Sequence, residues 1–161
     1  MIIGEHDHPV ADLHLALALA TLHAEAFAGT GRAWSGPEIL SLLNEAAVGM
    51  RLAHRAHAPD GTLAPAGFAL YRCAADEAEI LTIAVALADR RAGLGAGLLS
   101  ACEAGARQAG AARMFLEVAE DNTAARALYA RAGYRECGRR HGYYRHLGGE
   151  PVDALVLEKR L

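Results

Sequence analysis

The chain predicts a mixed α/β sheet containing at least one parallel strand–helix–strand unit. Two patterns point there. In the second half, short apolar strands alternate with helical stretches, while the first half carries two helices and a hairpin. Length adds a third indication. The 161 residues show no repeat, low-complexity linker or composition break, so residues 1–161 read as one domain able to bury a sizeable core.

Each element has a local reason. Met1–Gly4 reads as a short strand. A helix is expected from Pro9 to about Gly29, with Leu13, Leu17 and Leu22 on its apolar face. GTGRAW is a loop. Ser35 and Glu38 then fit a capping box, and Pro37 suits a first turn, opening a helix to about Val48. The period next changes. Residues 50–57 (MRLAHRAH), the turn signal PDGT and residues 66–73 (AGFALYRC) predict a hairpin, and 78–86 (AEILTIAVA) a third strand. Leu94, Leu98, Leu99 and Cys102 recur at helical spacing to about Gln108. A strand over 113–119 follows, then a helix opened by Asp121–Asn122 and closed by Gly133 as a left-handed cap. Residues 134–140 and 153–161 predict the last two strands.

Composition removes several functions. Net charge is −3, which gives no overall field for nucleic acid. No apolar run is long enough to span a membrane, and MIIGEHDHPV lacks the features of a signal peptide, so a cytoplasmic location is expected. Cys73, Cys102 and Cys137 are odd in number and far apart, which fits free, mostly buried thiols and neither a disulfide framework nor zinc. His6 and His8 lack further ligands at useful spacing, so no metal is expected.

DRRAGLGAGLL, residues 89–99, carries the chemistry. A strand–glycine loop–helix junction offers backbone N–H groups and the positive end of a helix dipole to an anion. A P-loop would need GKS or GKT, and neither is present. A dinucleotide fingerprint needs a third glycine where Leu98 stands. A glycine-rich helix start that binds nothing stays possible on this segment alone.

Arg90-x-x-Gly93-x-Gly95 resembles the pyrophosphate loop of the GNAT N-acetyltransferase superfamily. EILTIAVALADRRAGLGAGLL and LEVAEDNTAARALYARAGY extend the resemblance over residues 79–161, including the pattern N-x-x-A-x-x-L-Y-x-x-x-G-[FY]. Within the superfamily the chain is most similar to the ribosomal-protein-alanine N-acetyltransferase group, through TIAV, LEV, the N…LY helix and RRHGYYRHLGGEPVDALVLEK. The resemblance implies the GNAT fold, with six to seven strands and about four helices. It also implies acetyl transfer from acetyl-CoA to an amine.

The same resemblance assigns roles. Ile83, Ala84 and Val85 would line the pantetheine arm. Arg90, Arg91, Ala92, Gly93, Leu94, Gly95 and Ala96 would surround the pyrophosphate, and Asn122 would contact the cofactor, cap its helix, or both. Glu117 matches the general base. Its place among apolar residues of a strand suggests burial and a raised pKa, against a structural ion pair at an edge. Tyr129 matches the general acid, against an ordinary core tyrosine. Trp34, Tyr143 and Tyr144 match the acceptor site, and Arg139, Arg140 and Arg145 form either an anion-attracting or a merely solvated face.

Direct attack by the amine is expected, since no Cys–His nucleophile can be read from the sequence. An α-amine, titrating near 7.7–8, reaches its neutral form more easily than lysine near 10.4, by roughly 3–4 kcal/mol. The resemblance implies a protein N-terminus, such as that of a ribosomal protein, as the acceptor, and the amine chemistry mildly favours the same choice. A small amine, or acyl-CoA binding without catalysis, are the alternatives. The segment AFAGTGRAWS departs from the group's pattern. Ala33 replaces a proline and the loop is longer, which leaves the acceptor's identity open.

Overall fold

A computed structural model describes residues 2–5, 12–28, 33–55, 65–145 and 149–161, without the side chains of 2–5 and Arg145. Seven strands form one sheet: β1 (Ile2–Glu5), β2 (Val48–His54), β3 (Pro65–Ala74), β4 (Glu77–Val85), β5 (Arg113–Ala119), β6 (Arg135–Arg145) and β7 (Pro151–Arg160). Their order is β1-β2-β3-β4-β5-β7-β6. β4 and β5 form the parallel pair, and the other neighbours are antiparallel. Among the described residues, four α-helices flank the sheet: α1 (Leu13–Ala26), α2 (Gly36–Leu43), α3 (Leu94–Gln108) and α4 (Thr123–Arg131). This is the mixed α/β fold that the sequence predicts. None of the described helices is long and apolar enough to cross a membrane.

The local signals act as their chemistry requires. Ser35 accepts from the Glu38 N–H at 3.4 Å while Glu38 Oε2 accepts from the Ser35 N–H at 2.8 Å, so both arms of the capping box form. Gly133 takes φ +92° after α4, the left-handed conformation that a Cβ disfavours. Strand β5 has the predicted bounds.

Several elements differ from the sequence reading. α1 buries Ala16, Leu19, Leu22 and His23, whereas Leu13 and Leu17 lie about half exposed. Leu22 faces the core as expected, and Ala16, Leu19 and His23 complete the buried stripe in place of Leu13 and Leu17. α2 stops at Leu43, because Val48 already pairs with Arg72 in the sheet. β2 begins two residues earlier than expected for the same reason. β6 runs five residues beyond Arg140, carried by pairing with β7 through two irregularities. Cys102 is buried, Cys73 half-buried and Cys137 exposed, all as free thiols. His6, His8, Pro9, the turn PDGT and most of the loop before Trp34 lie outside the described residues.

Two apolar layers hold the sheet. Leu94, Leu98, Leu99, Cys102 and Ala106 of α3 pack with Met114, Leu116 and Val118 of β5, together with Leu155, Leu157 and Tyr129. On the other face, Ala16, Leu19 and Leu22 of α1 and Ile39 and Leu43 of α2 cover Met50, Leu52, Phe68, Leu70 and Ala84. Each fully buried leucine contributes about 1.5–3 kcal/mol, which fixes where the helices sit on the sheet.

Candidate active site

β4 and β5 pair over only four positions, from Glu77–Arg113 to Ile80–Leu116. A bulge explains the end of the seam. On β3, Leu70 opposes Thr82 and Tyr71 opposes Ile80, which leaves Leu81 as the extra residue. The extra residue also flips the alternation. Ala78 and Ile80 face the α3 side, Ala84 faces the α1 side, and Ile83 and Val85 pack against the α3 side again. Past Ile80 the two strands no longer pair, although β4 continues to Val85 and β5 to Ala119. A gap thus opens in mid-sheet, with the backbone of Ile83, Ala84 and Val85 along one side.

The glycine loop stands at the end of that gap. Arg91 has φ +64° and Gly93 φ +81°, and together they turn the chain into α3. The first helical bond is donated by Gly97 N–H to the Gly93 carbonyl, and no side chain caps the helix. Leu94, Gly95 and Ala96 therefore present N–H groups without intrahelical partners. A Cβ built on Gly93 would meet nothing within 4 Å, so the space before these groups is open. A diphosphate carrying an extended arm fits such a site, its charge against the helix start and its arm in the gap.

The two arginines differ. The Arg90 guanidinium is turned back, donating from Nη2 to the Ala26 carbonyl at 2.8 Å and from Nε to the Val85 carbonyl at 3.4 Å. No hydrogen bond or ion pair engages the exposed Arg91 among the described residues. Asn122 caps α4, accepting from the Ala125 N–H at 3.1 Å.

Glu117 is the first residue of β5 beyond the seam, on the face opposite Met114, Leu116 and Val118. Its side chain is 24% exposed and bonded at 2.7 Å to Arg140, so the carboxylate is only partly buried and forms the ion pair that the sequence held as the alternative. The β5 face bearing Phe115 and Glu117 is only partly covered, and β6 brings a cation to it. Arg140 also lies over the Tyr143 ring, 4.2 Å from its centroid. Tyr143 packs edge-on against Tyr144 at 5.2 Å.

Tyr129 is buried from the other side of the sheet, edge-on to Tyr134 at 5.9 Å. Burial pushes its phenol up to about 12, and nearby Tyr144 adds to the shift. Burial likewise pushes Tyr144 up to about 12, helped by the Glu117 carboxylate. Tyr144 is thus close enough to sense both Glu117 and Tyr129. Glu117, Arg140, Tyr143 and Tyr144 thus form one chain of contacts from β5 to β6, while Tyr129 packs against Tyr134 in the core on the α3 side.

Trp34 stands elsewhere, on the α1–α2 connection. It stacks on His23 at 5.0 Å and donates its backbone N–H to His23 Nδ1 at 3.3 Å, while Phe27 stacks on the same imidazole at 4.4 Å. No ring contact joins Trp34 to Tyr143 or Tyr144. Arg139 is bound by Glu120, Glu136 and Asp153, so with Arg140 committed to Glu117 neither is an open anion attractor. Arg140 as partner of Glu117, and His23 as the support of Trp34, are additions of the structure. The sequence carries no local signal for either pairing.

Comparison with known proteins bears on the fold and the family. Over 92 residues the chain is 37% identical to the [ribosomal protein bS18]-alanine N-acetyltransferase of Escherichia coli K12, a match covering 57% of this chain and 62% of that relative. The crystal structure of the ribosomal-protein-S18-alanine N-acetyltransferase from Escherichia coli superposes with a TM-score of 0.82 at 26% identity, covering 99% of this chain and 92% of that one. At the level of fold, Arabidopsis thaliana NAA60 in complex with a bisubstrate analogue gives 0.78 at 21% identity, over 99% of this chain and 98% of that one. The family model described as Acetyltransferase (GNAT) family matches residues 19–134, and the chain belongs to that family.

Proposed function

We propose that the protein transfers an acetyl group from acetyl-CoA to the N-terminal α-amine of a protein, a ribosomal protein being the leading candidate. The observation that carries the reading is Glu117, the first residue of β5 beyond its pairing with β4, half-buried at the edge of the gap and held at 2.7 Å by Arg140. A carboxylate on one side of a gap and a protonated phenol on the other suit a reaction that removes a proton from an amine and returns one to a leaving group. The 37% identical stretch shared with an N-terminal alanine acetyltransferase supports the choice of acceptor.

In this reading Ile83, Ala84 and Val85 line the arm of the acyl donor. Gly93, Leu94, Gly95 and Ala96 offer backbone N–H groups to its diphosphate, with Arg91 and Ala92 alongside. Asn122 caps α4 with its side-chain oxygen and keeps its amide N–H groups for the donor. Bound acetyl-CoA supplies a thioester carbonyl open to attack. Glu117, directly or through a water, takes the ammonium proton so that the neutral amine can form the C–N bond. A backbone N–H of the unpaired β4 edge polarises the carbonyl oxygen. Tyr129 gives its proton to the departing sulfur as the C–S bond breaks. Tyr143 and Tyr144 flank the acceptor beside Glu117, with Trp34 on the opposite wall.

The test is thiol release from acetyl-CoA across N-terminal peptides, Nα-blocked lysine peptides and polyamines, with mass spectrometry locating each acetyl group. Acetylation of an α-amine with Nα-blocked peptides silent is the expected outcome. Turnover confined to polyamines would replace the acceptor class, and binding without any turnover would replace the reading by a non-catalytic one.

A further inference from the structure

We infer that Arg90 and Arg91 divide two tasks: Arg91 faces the anion, whereas Arg90 is a positioning residue that ties the donor loop to the acceptor-side helix. The inference rests on the acetyl-CoA reading above for the identity of the anion. The tie itself rests on geometry alone.

A guanidinium binds phosphate best through two parallel N–H bonds from one edge of its fork. In Arg90 the Nε–Nη2 edge is spent on two protein carbonyls, Val85 at the end of β4 and Ala26 at the end of α1. Adjacent contacts reinforce this tie. The Leu87 N–H donates to Glu25 Oε1 at 2.9 Å, and Arg55 grips Asp89 Oδ2 through Nε at 2.8 Å and Nη2 at 2.6 Å. The segment from Val85 to Arg90 is thereby fastened to α1 and to Arg55, the residue that follows β2.

The Ala26 carbonyl is an informative anchor. There α1 hands over to the connection that carries Phe27 and Trp34, whose rings sandwich His23 one turn back. Arg90 therefore joins the loop that would hold the donor to the point from which the acceptor wall departs. Arg91, next in sequence, has neither carbonyl nor carboxylate to satisfy it among the described residues, and keeps a positive φ. One arginine fixes the spacing of the two substrates and the other supplies charge.

The test crosses two variants with two readouts: CoA affinity by calorimetry at two salt concentrations, and acrylamide quenching of Trp34, the only tryptophan. For Arg91→Gln, the CoA Kd should rise roughly tenfold with a shallower salt dependence, and quenching should not change. For Arg90→Gln, the CoA Kd should stay within about twofold while Trp34 becomes more accessible, with Arg90→Lys intermediate because one donor can still reach a carbonyl. A loss of CoA affinity in Arg90→Gln equal to that of Arg91→Gln, with Trp34 unchanged, would overturn the division of tasks. Should the wild-type protein bind no CoA, the acetyl-CoA reading fails, and Trp34 quenching in Arg90→Gln still decides the tie.

Discussion

Acid should act on this protein first at His23. The imidazole is 4% exposed and sandwiched between Phe27 and Trp34, and burial lowers its pKa from 6.5 to about 4. Its Nδ1 accepts the Trp34 N–H, so a second proton must break that bond as well as charge a buried ring. In the unfolded chain the ring protonates near 6.5, and in the folded one only near 4. Stability is therefore fully present above about pH 6.5 and is lost as pH falls toward 4. A gap of about 2.5 units at 1.36 kcal/mol each puts the loss at roughly 3 kcal/mol, a sizeable part of the 5–15 kcal/mol typical of a domain. Urea midpoints followed by Trp34 fluorescence between pH 7 and 4.5 measure it, with His23→Gln as the comparison that keeps an acceptor and loses the titration. An unchanged wild-type midpoint across that range, or an imidazole that titrates near 6.5 by NMR, would refute the argument.

Tyr129→Phe should lower kcat by roughly 10²–10³ with little change in urea midpoint, and Glu117→Gln should do likewise in thiol-release assays. Wild-type turnover in both folded variants would remove the acid–base assignment. Because the Tyr129 phenol lies near 12, it should contribute no alkaline limb to the rate profile below about pH 10. Gly105→Ala should destabilise by about 1–3 kcal/mol although alanine favours helices, because its Cβ would overlap Arg51 Nη2 and Tyr71 Oη, both buried. Arg51 has little room to yield, since its Nη1 and Nε are bonded to the Met50 and Ala101 carbonyls. A denaturation midpoint at or above wild type would show that the pair can move.

What the sequence reveals is what neighbouring residues decide. Ser35 with Glu38, Gly133, and the alternation of Met114, Leu116 and Val118 each state a local preference, and the fold keeps all three. Features that depend on pairing between distant segments are hidden. Arg140 reaches Glu117 because β7 enters the sheet between β5 and β6, which no spacing along the chain announces. The bulge at Leu81 has no glycine to mark it; it is set by the register between β3 and β4. The loop shows the limit clearly. Both arginines suit an anion by type, and only the carbonyls of Ala26 and Val85 distinguish them.

The four-position seam between β4 and β5 also bears on how damage to this protein should be detected. A ligand arm lying in the gap would serve as a borrowed strand, so binding energy would add directly to cohesion between the two half-sheets. Saturating ligand at a hundredfold excess over Kd contributes about 2.7 kcal/mol to the folded state. Variants that weaken the packing beneath either half, such as at Met114 or Leu98, should then look sound in cofactor-rich extracts and fail once the small molecules are dialysed away. Tolerance measured in one setting would overstate tolerance in the other.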